Sequence, residues 1–230
     1  MKPSTNFDST LVLTTDKTAI SEDTARQIQQ ANRTFAPYYK PLQSISIEDA
    51  RTRKSSYQFG KLGLKELGEL LHLSLYNTER PDARPYPAAG GIYSVNLYLA
   101  AMSVDGLPSG IHFVRWQDQV LEQIGSESAA RELYDQTYHP NMNDLPLIAV
   151  LVADLRLSTY KYRDAAMRMA YIEAGALLQT LYLAATKLHL PICALGGVSD
   201  RAALKITKME PSADIIFNCG AAIGGQPTNS

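Results

Sequence analysis

A long run of helix-forming residues over positions 164–190 constrains this chain more than any other feature. The run is rich in Ala, Met, Leu, Glu and Gln, which favour an α-helix, and Pro191 cannot continue one. Its apolar residues lie nearly all round the helix rather than on one face. We therefore expect a central, buried helix around which the other elements pack.

Short apolar segments on both sides of this helix predict strands. Residues 95–104 begin with a β-like pattern, and residues 111–116 alternate and can pair with residues 120–124 as a hairpin. Residues 147–155 and 214–223 are continuous apolar runs, which are typical of strands buried on both faces.

Further helices are predicted over residues 18–32, 64–73 and 126–138, the last with Ser126 as its cap. Residues 78–87 are rich in Pro, Arg and Asp and predict a loop. The order of these elements indicates a mixed α+β domain without internal repeats.

The first 45 residues are polar and weakly periodic. We therefore predict an N-terminal arm over residues 1–45 and one domain over residues 46–230.

Composition argues against several kinds of function. The net charge is −1, from 22 basic and 23 acidic residues without a basic run, so we expect no nucleic-acid binding. Cys193 and Cys219 belong to no CxxC pair and the four histidines are scattered, so we expect two buried thiols and no metal site. No apolar run approaches a membrane span, and the first fifteen residues lack the apolar core of a signal peptide. We expect a cytoplasmic protein with no membrane partner.

Four short segments carry residue types suited to binding or catalysis. Residues 51–56 (RTRKSS) offer cations and hydroxyls that suit a phosphate, although a solvated loop explains them equally well. Residues 84–93 (RPYPAAGGIY) would let a flat ring or a phosphate lie against main-chain N–H groups, or would simply make a tight turn before a strand.

The other two segments flank the long helix. Residues 160–163 (YKYR) contain a lysine that could act as a base if apolar surroundings favour its neutral form, or could reach solvent as an ordinary surface lysine. Residues 194–200 (ALGGVSD) contain paired glycines that allow close approach of a ligand, or form a plain turn between two helices.

In this order, the four segments together resemble the flavin nitroreductases. Residues 53–59 (RKSSYQF) resemble the R-R-S-x-R-x-F opening of that superfamily. Residues 84–93 resemble the R-x-x-P-S-A-G-G-L-Y-P loop of its azoline (thiazole/oxazole) dehydrogenase branch, which includes the streptolysin and microcin maturation enzymes. Residues 161–179 resemble that branch's K-Y…R-G-Y-R…E-x-G-x-x-x-Q-N block, and residues 196–200 resemble its G-G-F-x-D turn.

This resemblance implies a nitroreductase-like α+β sandwich, with a central antiparallel sheet flanked by helices, in a domain-interlocked homodimer. It also implies one FMN in each of two sites at the dimer interface. The implied FMN-binding residues, in three segments, are Arg53, Lys54, Ser55, Pro87, Ala88, Ala89, Gly90, Gly196 and Gly197. The first segment would hold the phosphate and ribityl chain, the second would pass along the isoalloxazine ring, and the glycine pair would lie near N5 and O4.

Lys161 and Tyr162 match the catalytic pair of the azoline dehydrogenases. The resemblance implies an FMN-dependent enzyme that oxidises thiazolines or oxazolines in a peptide to azoles, with oxygen reoxidising the flavin. Lys161 would be the base and Tyr162 would orient the substrate or relay the proton, and a cyclodehydratase partner would supply the azoline.

Several positions depart from the branch pattern, so other functions stay open. Tyr57 replaces a cation, Ala88 replaces a serine, and Ala165 and Met167 replace an arginine and a tyrosine. The alternatives are a flavin dehydrogenase acting on a carrier-bound or small cyclic peptide, an NAD(P)H-dependent nitro or quinone reductase, and a flavin-free scaffold subunit of a synthetase complex.

Overall fold

The computed structural model describes residues 33–34, 44–80, 82–139, 145–210 and 212–227. The helix predicted over residues 18–32, and most of the predicted arm, lie outside the described residues. The boundary between the arm and the domain over residues 46–230 therefore stays a prediction.

A seven-stranded antiparallel sheet forms the centre of the described fold. In their order across the sheet, the strands are β1 (Arg33–Thr34), β6 (Val120–Gly125), β5 (Gly110–Arg115), β3 (Val95–Ala101), β7 (Leu147–Asp154), β9 (Ile215–Ile223) and β8 (Ile192–Leu195). Two short strands, β2 (Leu62–Gly63) and β4 (Val104–Asp105), pair in parallel beside it. The predicted hairpin of β5 and β6 and the predicted buried strand β7 are confirmed. Strand β9 is present as predicted, but its residues 216–219 are only partly buried.

Strand β7 lies in the middle of the sheet and is buried along its whole length. It pairs with β3 from Val95 opposite Ala153 to Ala101 opposite Leu147, and with β9 on its other side. A strand that has neighbours on both edges and helices on both faces needs apolar side chains at every position. This is why its sequence is a continuous apolar run.

Helices cover both faces of the sheet. They are α1 (Ile47–Thr52), α2 (Leu64–Leu75), α3 (Glu127–Asp135), α4 (Arg156–Tyr162), α5 (Ala166–Lys187) and α6 (Asp200–Lys205). Leu97 and Leu99 of β3 pack with α2 and α5, whereas Tyr98 and Ala100 pack with α3 and α6. This alternation along one strand produces the predicted sandwich.

Helix α5 has 22 residues and confirms the predicted long helix. The prediction that it is buried all round is wrong for the described part of the chain. Leu177 and Leu181 are fully buried, whereas Met167, Tyr171 and Ile172 are about half exposed. In the described part of the chain these three apolar side chains lie on an exposed surface of the helix, beside the exposed side chain of Arg168. None of the described helices combines the length and the apolar character that crossing a membrane requires.

Two elements differ from the sequence prediction. Helix α4 occupies residues between the predicted strand and the predicted long helix, where no element was predicted. At its start the Asp154 carboxylate accepts the N–H of Arg156 and pairs with its guanidinium. Strand β8 has four residues, too few to show a period, and pairs with β9 at the edge of the sheet. The glycines at 196 and 197 therefore follow a strand, and the alternative of a turn between two helices is wrong.

Both cysteines are free thiols, as predicted. Cys193 is buried on β8 and Cys219 is partly buried on β9, where burial raises its pKa to about 11. The histidine, cysteine and acidic side chains in the described part of the chain form no group that could hold a metal ion.

Candidate functional site

The segment with cations and hydroxyls lies against β8. The Ser56 N–H donates to the Ile192 carbonyl at 2.9 Å, which places residues 53–56 along the outer edge of the sheet. The Ser55 hydroxyl lies 2.9 Å from the Tyr182 hydroxyl. Arg53 and Ser55 are thus close to the strand that leads into the glycine turn, and Lys54 lies between them with an exposed side chain.

Tyr182 of α5 joins this segment to β8. Its hydroxyl accepts the Ala194 N–H at 2.7 Å, and the Arg53 guanidinium lies 5.0 Å from the centre of its ring. The ring is 6% exposed. Sequence analysis missed this residue, because one tyrosine among apolar helix residues looks like an ordinary core side chain.

The glycine turn after β8 is open on one side and held on the other. A Cβ placed on Gly196 would meet no atom within 4 Å, whereas one placed on Gly197 would lie 3.1 Å from the Tyr138 Cβ. The Gly197 carbonyl accepts the Tyr138 N–H at 2.9 Å. The turn therefore presents exposed main chain at Gly196 while its position is fixed by the neighbouring segment.

The loop over residues 84–93 is fastened to the core at its first residue. The Arg84 side chain is buried; it donates to the Val95 carbonyl at 3.0 Å and to the Tyr86 hydroxyl. Its guanidinium lies 4.8 Å from the ring centres of both Tyr93 and Trp116. Aromatic faces attract a cation strongly once water is excluded, so they stabilise this buried charge.

Glu173 of α5 fastens the other end of the loop. Its two carboxylate oxygens accept the N–H groups of Ser94 and Val95, each at 3.1 Å. Burial raises the pKa of Glu173 to about 7, although the Val95 N–H and the charge of Arg84 oppose this shift. The helix is therefore tied to the start of β3, immediately after the loop.

Between these two ends, the loop brings Gly90 against the Lys161–Tyr162 pair. Gly90 and Gly91 both have positive φ, at 60° and 71°, a conformation in which glycine is favoured. A Cβ on Gly90 would lie 2.5 Å from the Lys161 Nζ and closer still to the Tyr162 hydroxyl. The structure thus places three of the predicted site residues together.

The catalytic candidates occupy the last two positions of α4. The Lys161 Nζ lies 5.3 Å from the centre of the Tyr162 ring, and the lysine side chain is exposed. Of the two alternatives for this lysine, the described part of the chain thus shows the one in which its side chain reaches solvent. The next residue, Arg163, has a φ of 49°, and such a conformation costs on the order of 1–3 kcal/mol for a residue other than glycine.

The predicted site residues thus form two groups along α5. One group contains Arg53, Ser55 and the glycine turn and contacts Tyr182; the other contains Gly90, Lys161 and Tyr162 and depends on Glu173. These two helix residues are nine positions apart, which is about 13 Å along the axis at 1.5 Å per residue.

Sequence comparison identifies the family. Residues 50–225 match the model of the nitroreductase family. Because this match covers most of the chain, the protein belongs to that family, whose members are flavin oxidoreductases.

Individual relatives agree with this assignment. A candidate nitroreductase of Methanocaldococcus jannaschii is 24% identical over 190 residues, which cover 79% of this chain and 94% of that protein. The fold is similar to that of a candidate nitroreductase from Anabaena variabilis, with a TM-score of 0.64 and 22% identity over 78% of this chain; the match spans only 38% of the longer Anabaena chain.

A second similar structure is a chain of the Escherichia coli microcin synthetase McbBCD complex, solved with truncated pro-MccB17 bound. Its TM-score is 0.66 at 19% identity, and the match covers 95% of this chain and 87% of that one. At this identity the likeness establishes the fold alone.

The Gly90 contact predicts different effects for two neighbouring substitutions. Gly90→Ala and Gly91→Ala share the cost of a positive φ, roughly 1–2 kcal/mol, but a Cβ at Gly91 meets nothing within 4 Å. Only Gly90→Ala should displace the ends of the Lys161 and Tyr162 side chains. The acetylation rate of Lys161, followed by mass spectrometry against pH, should change several-fold in Gly90→Ala and stay at the wild-type rate in Gly91→Ala. Equal rates in both variants would show that the contact does not form.

The raised pKa of Glu173 predicts a particular dependence of stability on pH. Because the folded protein binds this proton more tightly than the unfolded chain, the associated stability is complete below about pH 4.5 and is lost as the pH rises to about 7. The loss should approach about 3 kcal/mol, at 1.36 kcal/mol for each pKa unit. Denaturant unfolding measures the free energy of unfolding of wild type and of Glu173→Gln at each pH. Wild type should lose about 3 kcal/mol relative to Glu173→Gln as the pH rises across this range. A constant difference between the two proteins would contradict the raised pKa.

Proposed function

We propose that this protein is an FMN-dependent dehydrogenase that oxidises thiazoline or oxazoline rings in a peptide to the corresponding azoles. The observation that carries the proposal is the convergence of the Lys161 Nζ and the Tyr162 hydroxyl on the Gly90 backbone. Removal of a proton next to a flavin requires a base and a hydroxyl beside a main-chain surface on which a flat ring can lie.

The residues around β8 fit the phosphate end of FMN. The Arg53 guanidinium and the Ser55 hydroxyl supply the charged and neutral donors that a phosphate prefers, and Lys54 adds a second cation beside them. The open side of Gly196 allows main chain to approach a planar group without a side chain in between. We propose that these residues, together with the loop from Pro87 through Ala88 and Ala89 to Gly90, hold the cofactor, with Gly197 fixing the turn.

The proposed reaction removes two hydrogens from the azoline ring. The amine of Lys161 takes a proton from one ring carbon, and the electron pair of the broken C–H bond forms the new ring double bond. When bound, FMN would supply the acceptor for the hydride that leaves the neighbouring carbon, with oxygen as the final oxidant. The Tyr162 hydroxyl orients the ring or relays the proton from Lys161 to solvent.

Two further observations support a peptide azoline over the other substrates. A nitro or quinone reductase has no need of a base for a carbon-bound proton, which is the role the Lys161–Tyr162 pair suits. The similar chain in the microcin synthetase complex is part of an assembly that binds the peptide pro-MccB17. On this basis we propose that a cyclodehydratase makes the azoline and is a partner, and that the enzyme acts in the cytoplasm.

Removal of the proposed base tests the reaction. Lys161→Ala should lower turnover by at least about 100-fold, because general base catalysis contributes typically 10²–10⁴-fold, while FMN content stays at the wild-type value. The measurement is mass spectrometry of a cyclised precursor peptide, which loses two hydrogens for each ring oxidised. Lys65→Ala, at an exposed position on α2, is the control and should behave as wild type.

Normal turnover by Lys161→Ala would reject Lys161 as the base. A wild-type protein that leaves the rings intact but whose FMN is rapidly reduced by NADPH would be a reductase. Wild-type protein that takes up no FMN would favour the scaffold function.

We further propose that the enzyme is a homodimer in which the apolar face of α5 is covered by a second copy. Met167, Tyr171 and Ile172 on α5, and Leu157 and Tyr160 on α4, are large exposed apolar side chains. Such a patch on helices that also carry Lys161 indicates an interface rather than a free surface. A second copy would also reduce the exposure of Lys161 and could bring a phosphate-binding group close to the loop of its neighbour.

A charge on this face should dissociate the dimer. Ile172→Glu places a carboxylate where apolar side chains would be buried, and an unpaired buried charge is strongly unfavourable. We expect a dimer dissociation constant at least 100-fold higher, which corresponds to about 3 kcal/mol at about 1.4 kcal/mol per factor of ten, together with loss of FMN. Sedimentation equilibrium measures the mass; Gln117→Glu, an exposed position in the β5–β6 turn, should stay dimeric. An Ile172→Glu protein with the wild-type mass would place the interface elsewhere.

A further inference from the structure

We propose that Tyr182 assembles the phosphate end of the flavin site: it is a positioning residue that aims the Ser55 hydroxyl and the Arg53 guanidinium at one phosphoryl group. The inference rests on the proposed function insofar as that function requires FMN. It assigns a role to a residue that lies outside the four segments on which the family resemblance was based.

The polarity of the hydrogen bonds gives the first step of the argument. The Ala194 N–H can only donate, so the Tyr182 hydroxyl oxygen accepts it, at 2.7 Å. Tyr182 can then donate its own proton to the Ser55 Oγ, 2.9 Å away. The hydroxyl hydrogen of Ser55 is then available to another acceptor. Within the protein it reaches the Cys193 sulfur, and a phosphate oxygen, which is a charged and therefore stronger acceptor, can take its place.

The guanidinium gives the second step. Four arginines of the described residues are paired with carboxylates: Arg51, Arg115, Arg131 and Arg156. Arg53 has no carboxylate within ion-pair distance in the described part of the chain; its contact is with the Tyr182 ring, 5.0 Å from the centroid. A guanidinium stacked on a ring keeps its N–H donors in the plane of the group free for a bidentate acceptor.

The third step is rigidity. The Tyr182 ring is buried near the end of α5, next to Leu181, Ala184 and Ala185, which are fully buried. Its hydroxyl is held by β8, and β8 is itself held by β9. Because Tyr182 already holds the Ser55 hydroxyl and the Arg53 guanidinium in place, they lose little conformational freedom when the ligand binds. This smaller entropy loss increases the affinity.

The opposing explanation is that Tyr182 is only a core tyrosine whose hydroxyl satisfies the Ala194 N–H. If Tyr182 only supports the core, its replacement should lower the stability of the fold and should weaken the binding of FMN and of riboflavin to the same degree. A role at the phosphate would affect FMN and leave riboflavin, which lacks the phosphate, almost unchanged. The ratio of the two affinities therefore separates the explanations.

The experiment titrates apoprotein with FMN and with riboflavin and follows flavin fluorescence. Tyr182→Phe keeps the ring below Arg53 and removes the hydroxyl; it should weaken FMN binding about tenfold, as expected for the loss of one aligned donor to a charged group, and riboflavin binding less than twofold. Ser55→Ala should give the same selective loss, and the double variant should add little to either single change, because Tyr182 acts through Ser55. Tyr182→Leu, which also removes the ring, should weaken FMN binding further.

Tyr134→Phe is the matched control. Tyr134 is a half-buried helix tyrosine whose hydroxyl also bonds a main-chain group, the Ala100 carbonyl, but on the other face of the sheet. It should leave both flavin affinities at the wild-type values. Thermal unfolding of each variant reports any loss of stability separately.

The outcomes distinguish this inference from the proposed function. Equal weakening of FMN and riboflavin by Tyr182→Phe, or no weakening of either, overturns the role of Tyr182 while the flavin enzyme stands. A wild-type apoprotein that binds neither flavin overturns the proposed function and the inference together.

Discussion

The candidate site depends on the hydrogen bonds that the buried Glu173 carboxylate accepts from the main chain. A carboxylate inside an apolar helix is tolerated only where it has hydrogen-bond donors and a nearby positive charge. The donors are the main-chain amides of Ser94 and Val95, and the charge is Arg84, which is itself held by aromatic rings. The loop between Arg84 and Ser94 must therefore begin and end at fixed points, and this brings Gly90 to Lys161.

Helix α5 transmits this constraint to the other half of the site. Glu173 near its middle holds the loop, and Tyr182 nearer its end holds Ser55, Arg53 and the N–H of Ala194. Because one rigid helix carries both residues, the spacing between the two groups is set by the rise of the helix and not by flexible loops. The burial that stabilises the helix thus also fixes the geometry of the site.

The sequence predicted those parts of the fold whose patterns are long or regular. The strand β7 follows from its continuous apolar run, the hairpin of β5 and β6 from alternation, and α5 from a long stretch of helix-forming residues that ends before Pro191. Each of these signals extends over many residues. Strand β8 is too short to leave such a signal, and α4 begins where an Asp154–Arg156 ion pair supports it. The exposed face of α5 could not be predicted, since an apolar residue looks the same whether its partner is the core or another chain.

For the candidate site, the ordered segments predicted which residues take part but not which of them touch; the contact of Gly90 with Lys161 and Tyr162 is seen only in the structure. The catalytic and cofactor roles of these residues stay predictions. Tyr182 lay beyond sequence reasoning for a physical reason: its hydroxyl meets Ser55 across 127 positions of the chain, and no local pattern records such a contact. The contact is visible only once α5 and β8 are packed.

The exposure of Lys161 links the chemistry to assembly. A lysine surrounded by water is mostly protonated at neutral pH and makes a poor base, whereas low polarity favours its neutral form. The loop covers Lys161 on the side of Gly90, and large apolar side chains of α4 and α5 are exposed in the described part of the chain. If a second copy buries those side chains, the contact that covers them also excludes water from Lys161, the proposed base. Catalytic competence would then depend on dimerisation, because the fold of one subunit supplies the position of Lys161 but not its surroundings.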